Sequence, residues 1–180
     1  VTKLAPDGSL LFVRSFGDES PRQQGQAVAV DRSDNVLVTG SFDGNVDFGD
    51  NVLSLSEANL PSEVWCETAG FALKLDANGD TLWSRALGPM RELTGVASDA
   101  AGEVIVSGAL PGNVSPYQLS FLTKLDAGGA QLWQRSEWPA TGIGSGNGVV
   151  VDACNDILWS VSVLPTIGDD KQPYIAKLSP

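Results

Sequence analysis

Carboxylates are the main reactive groups of this chain. It carries 22 Asp and Glu against 11 Lys and Arg and has no histidine, for a formal charge of −11. Without histidine, Ser-His-Asp and Cys-His nucleophile systems are ruled out, and the commonest general base and metal ligand is missing. Cys66 and Cys154 match no metal or redox spacing. They have the option of a disulfide in a secreted protein, which spacing alone leaves open. What remains is carboxylate work: acid pairs for glycoside hydrolysis, or oxygen ligands for calcium. Asp43-Gly-Asn45-Val-Asp47 and Asp76-Ala-Asn78-Gly-Asp80 read like the start of a calcium loop, yet neither has Gly sixth and Glu twelfth. Calcium in another geometry stays open. Asp31, Asp76, Asp99, Asp126 and Asp152 all precede turn residues, where closing the turn is the simpler role. The sequence assigns no catalytic, cofactor-binding or metal-ligating residue.

The elements behind these residues are repeats. Lys3-Leu4, Lys74-Leu75, Lys124-Leu125 and Lys177-Leu178 open four similar units, spaced 71, 50 and 53 residues apart. After the first three Lys, fixed offsets carry a Gly (Gly8, Gly79, Gly129), an aromatic (Phe12, Trp83, Trp133) and an Arg (Arg14, Arg85, Arg135). A second unit alternates with the first, at 26–41, 94–109 and 147–162. Each copy has an Asp (Asp31, Asp99, Asp152) and, five residues on, an apolar residue (Val36, Val104, Ile157). Gly40 and Gly108 share a position that Val161 takes in the third copy, so a different strand twist is expected there. The runs are short and rich in β-branched and aromatic residues, and Pro6-Asp7-Gly8, Asp34-Asn35, Asn78-Gly79 and Gly128-Gly129 punctuate them. Each unit therefore reads as a β-hairpin.

Two hairpins per repeat predict an all-β fold of β-propeller blades, four-stranded antiparallel sheets, with about three blades' worth in this chain. A linear β-solenoid is the alternative, but its coils are usually shorter and lack the hairpin alternation. The expected layout is one propeller domain or propeller fragment over 1–180. Residues 1–16 form an outer hairpin of a split blade. Residues 25–86 form a blade with an insert at about 43–70, 93–136 a second blade, and 146–180 part of a third. Val1–Leu4 and Ile175–Leu178 are the same strand of the repeat and compete for one place. Three blades fall short of the usual ring of about four to eight. Either the chain belongs to a longer propeller, the preferred reading, or several copies close a ring as a homo-oligomer. The start at Val1 without Met suggests a trimmed, excised or processed product.

The stretches FALKLDANGDTLWSRALG, GVASDAAGEVIVSG and GSFDGNVDFG resemble the bacterial seven-bladed-propeller-type repeat family. That family is frequent in large secreted or surface proteins and lipoproteins, notably of myxobacteria. The resemblance spans nearly the whole chain outside 50–68. It implies a propeller in an extracytoplasmic setting and no particular reaction. Asp76, Gly79 and Trp83 are also similar to the tryptophan-docking repeat of quinoprotein propellers, with a turn one residue shorter. That similarity implies a blade-to-blade packing role for Trp83 and Trp133, and more weakly for Phe12, without a quinone cofactor.

The expected function is a non-catalytic scaffold or interaction module that binds protein or glycan. Its site would lie on the face made by the connections between hairpins, because rigid scaffolds carry function on variable loops. The longest such connection runs from Phe42 to Gly70, with Asp43, Asp47, Asp50, Glu57, Glu63, Trp65, Cys66 and Glu67. Pro139–Asn147 is a Gly-rich second. The rivals are an insert that is a solvated excursion or an extended outer hairpin with no ligand, a hydrolase or lyase using acids on that face, and a unit whose purpose is assembly itself. The acidic balance argues against nucleic acid. No apolar run approaches the ~20 residues of a membrane helix, so no membrane insertion is expected.

Overall fold

The computed structural model describes residues 1–17, 22–55, 68–90, 92–111, 118–137, 143–164 and 172–179. Among these the regular elements are β-strands in antiparallel sheets. The hairpin β1 (Thr2–Leu4) and β2 (Leu10–Val13) stands first. A four-stranded sheet follows, in the order β3 (Gln23–Val30), β4 (Val36–Phe42), β7 (Ala69–Leu75), β8 (Thr81–Pro89). A second pairs β9 (Glu92–Ser98), β10 (Val104–Pro111), β11 (Gln118–Leu125) and β12 (Gln131–Glu137). The last has three strands, β13 (Ile143–Val151), β14 (Ile157–Leu164) and β15 (Gln172–Leu178). The insert contributes a small hairpin, β5 (Asn45–Asp47) with β6 (Val52–Ser54).

One turn design joins the strands of every hairpin of the repeat. In 31–35, 76–80, 99–103, 126–130 and 152–156 the leading Asp N–H donates to the carbonyl four residues on. The residue three along has positive φ: Asp34, Gly79, Gly102, Gly129 and Asn155. Only Gly, Asn and Asp tolerate that conformation readily, which is why these types recur there. The turn at 5–9 follows the same path with Ala5 leading and Gly8 at φ 84°.

The sheets stack face on face in chain order, β9 lying against β3 and β4 on one side and β13 on the other. Alternation along each strand gives every sheet two apolar faces. Leu37, Ala72 and Trp83 from the back of one sheet share a core with Val96, Val104, Val106 and Phe121 from the front of the next. Ile105 and Leu122 repeat this with Val149, Ile157 and Trp159. The front of the first sheet is covered instead by Phe12 and by Val46, Phe48 and Leu53 of the insert.

Two details depart from the sequence expectations. The Gly-rich stretch assigned to a connection is strand from Ile143 onward. Its glycines permit close approach: a Cβ on Gly146 would lie 2.9 Å from Gly108 O. The start of the insert is no solvated excursion, since β5 and β6 fold back onto the core. The repeat position of Val161 differs from its counterparts in the side chain that faces it. Phe71 and Phe121 lie over Gly40 and Gly108, whereas Tyr174, opposite Val161, is 54 % exposed.

Candidate functional site

The turn aspartates are consumed by their own turns. Oδ1 of Asp31 accepts the N–H groups of Ser33 and Asn35 at 2.8 and 3.0 Å. Asp99, Asp152, Asp76 and Asp126 accept the N–H groups two and four residues on in the same way. The Lys of the repeat reaches across its sheet to the first of these turns. Lys74 lies 3.0 Å from Asp31, Lys124 2.9 Å from Asp99, and Lys177 3.0 Å from Asp152. Burial alone would push the Asp31 and Asp99 carboxyls up. The hydrogen bonds from Asn35 and Lys74, and from Lys124 and Glu103, outweigh it and hold both below the usual carboxylate range. Such groups stay ionised at neutral pH and are poorly suited to give or take a proton there.

The acids of the insert divide. Asp50 accepts from Ser84 N at 2.8 Å and Ser84 Oγ at 2.7 Å, which pins the β5–β6 hairpin to β8. Asp47 closes a local turn on Gly49 N. Asp43 has a buried Oδ1 with no hydrogen-bond partner among the described residues. Glu57, Glu63, Trp65, Cys66 and Glu67 lie outside the described residues. Cys154 is an exposed free thiol on a turn. Among the described residues no cluster of three or more acidic or cysteine side chains is placed to hold a metal ion; in the second calcium-like string Asp76 faces backbone N–H groups, and Asp80 pairs with Arg14 at 3.0 Å.

The repeated aromatic and Arg build a joint between successive sheets. Trp83 packs its ring on Gly129 of the next sheet, where a Cβ would come within 2.9 Å of it. Its Nε1 donates to Ala127 O at 2.9 Å. Arg85 lies over the same ring and donates to Gly128 O at 3.0 Å. Phe12 and Arg14 repeat the joint on Gly79, with Arg14 donating to the carbonyls of Gly79 and Asn78 at 2.8 and 3.1 Å. Trp133 and Arg135 form the same stacked pair, but no turn lies beneath them among the described residues.

A second joint, which sequence reading missed, lies on the first hairpins. Gln26, Thr94 and Asn147 each sit on a β-bulge, five residues before the turn Asp. Gln26 Oε1 accepts Leu93 N of the next sheet at 3.0 Å, and Thr94 Oγ1 donates to Gly146 O of the sheet after it at 2.5 Å. A polar residue at one fixed offset within an otherwise apolar repeat was the available signal.

Beside the first sheet is a cavity of about 190 Å³, bounded by Val1, Arg14, Phe16, Gln24, Val38 and Phe71. Its lining mixes apolar side chains with polar ones, Ser15, Gln23 and Gln24 beside Arg14.

No protein-family model matches the chain. No curated protein matches it either.

Proposed function

We propose that the chain is about three blades' worth of a β-propeller resembling the bacterial seven-bladed-propeller-type repeats. We assign it the role of a non-catalytic, extracytoplasmic module that binds protein or glycan. The recurrence of the aromatic-on-glycine joint at successive sheets supports the blade reading, because radial repetition needs one interface used again and again. The observation that carries the non-catalytic reading is the state of the buried carboxylates: Asp31 and Asp99 are closed into turns, paired with Lys and held ionised. In a sequentially ordered antiparallel sheet, the uniform turns lie at one end and the connections between hairpins at the other. The connections differ in length from copy to copy, and they form the proposed binding face.

Incubation with panels of polysaccharides and surface proteins, scored for both retention and release of reducing ends, tests this. Retention without release is expected. Release that disappears in an acidic-residue variant would make the chain a hydrolase, and no retention on any panel would remove the binding role.

A further inference from the structure

The two turns that seat an aromatic ring differ in one chemical respect. Under Phe12 and Arg14 the turn reads Asp76-Ala77-Asn78-Gly79-Asp80, and under Trp83 and Arg85 it reads Asp126-Ala127-Gly128-Gly129-Ala130. An asparagine before glycine readily loses its side-chain amide, because no side chain on the glycine hinders attack by its nitrogen. The Gly79 nitrogen attacks Cγ of Asn78, ammonia leaves, and a succinimide ring forms. Water then opens the ring at either carbonyl, giving aspartate or isoaspartate. Asn78 is exposed, so water reaches it. The fold keeps the reacting atoms occupied through Asp76. Gly79 N–H donates to the Asp76 carbonyl at 3.0 Å. Asn78 Nδ2 donates to Asp76 Oδ2 at 3.4 Å, and Asn78 N to Oδ1 at 2.8 Å. The nucleophile is thus spent on the turn's own hydrogen bond, and the electrophile is tethered to a carboxylate.

We infer that Asn78-Gly79 is a spontaneous deamidation site that the β1–β2 hairpin holds closed, and that isoaspartate formed there makes release of that hairpin irreversible. The hairpin clamps the turn from outside. Phe12 lies over Gly79, and Arg14 donates to Gly79 O at 2.8 Å, to Asn78 O at 3.1 Å and to Asp80 at 3.0 Å. Lys3 Nζ adds a bond to Ala77 O at 3.3 Å. While these contacts hold, the turn cannot swing Gly79 N onto Asn78 Cγ. Once they part, local opening frees both groups to react. Isoaspartate inserts a methylene into the backbone of a turn closed by Gly79 N on Asp76 O and Asp76 N on Asp80 O. The carbonyls that Arg14 grips are then displaced, and the hairpin loses its seat. Gly128-Gly129 has no amide to lose, so the seat of Trp83 is permanent.

Peptide mass mapping during storage at mildly alkaline pH, in buffer and in urea, is the test. Asn147-Gly148 on β13, the chain's other Asn-Gly pair, is the internal control. Asn78 should react in urea and at least about tenfold more slowly in the folded chain, the protection given by an opening that costs about 1.4 kcal/mol. Arg14→Ala should speed the reaction at Asn78 in the folded chain and leave Asn147 unchanged. Lys3→Ala, at an exposed side chain, replaces it if circular dichroism shows that variant unfolded. The isoaspartyl chain, separated and refolded, should exchange the amide hydrogens of β2 faster than the parent does. No reaction at Asn78 in urea overturns the proposal, as do equal rates with and without urea or a rate indifferent to loss of the clamp. An isoaspartyl chain whose β2 exchanges like the parent's overturns the irreversible release. None of these outcomes depends on whether the loop face binds a glycan or a protein.

Discussion

At the scale of the residue, the acidic side chains act as backbone clamps. A carboxylate that accepts two N–H groups and a Lys is stabilised as the anion, so folding favours the ionised form. Asp31 and Asp99 lie below the usual carboxylate range when folded. Their contribution is therefore present above the unfolded value, about pH 4, and is lost as pH falls through the folded one. Lys124 runs the other way. Burial alone would lower its pKa, but Glu103 and Asp99 raise it above the ordinary Lys value. That contribution is complete below about pH 10.4 and is lost as pH rises through the folded value. A thermal midpoint measured against pH should be level in the neutral range and fall below about pH 4. Asp99→Asn should lower the neutral plateau and flatten the acid fall. An acid limb as steep as that of the parent would show that Asp99 is no such clamp.

At the scale of the element, the joint works because a turn glycine leaves room for a ring that the previous sheet supplies. Identical repeat positions should then differ in their worth for folding. Trp83→Ala should cost about 3–5 kcal/mol in urea unfolding, the usual figure for a buried aromatic. Trp133→Ala should cost clearly less, since among the described residues its ring has no turn to cover. Equal losses, or a loss below about 1 kcal/mol at Trp83, would refute the docking role. Gly108 is held by a different constraint. A Cβ there would lie 2.2 Å from Glu92 O and 2.8 Å from the Phe121 ring. Gly108→Ala should therefore destabilise by about 1–3 kcal/mol, as overpacking does. An unchanged urea midpoint would show that β9 shifts freely to admit the methyl group.

At the scale of the whole molecule, stability should be graded along the stack. A strand in the middle is covered on both faces, and a strand at the end on one. Ile105, Val106 and Leu122 are fully buried, whereas β15 is mostly exposed. Protection against local opening follows such burial. Amide hydrogen exchange should be slowest in β10 and β11 and fastest in β15 and the β1–β2 hairpin. Uniform protection would mean that the chain opens only as one unit. The ion pairs follow a one-way order instead: side-chain exposure of the repeat Lys rises along the chain from 6 % at Lys74 to 13 % at Lys124 and 54 % at Lys177.

Much of this was written in local residues. The turn at 76–80 needs an Asp, a positive φ and an apolar strand on either side, all within a few residues, so Asp76, Gly79 and Trp83 declared it. The hairpins and their Lys and Asp landmarks follow from such short-range rules, which depend on backbone sterics and nearby hydrogen bonds. Other features rested on contacts between residues distant in the chain. That Lys74 pairs with Asp31, that Thr94 reaches Gly146, and that Asp50 anchors the insert on Ser84 depend on which sheet faces which. The sequence by itself determined the hairpins, their Asp-closed turns and the period at which they recur, because each is closed by neighbours in the chain. Only the tertiary structure decided which Lys pairs with which turn Asp, that the insert covers a sheet and that each aromatic ring seats on the turn glycine of the next sheet, because those depend on surfaces that exist once sheets have packed.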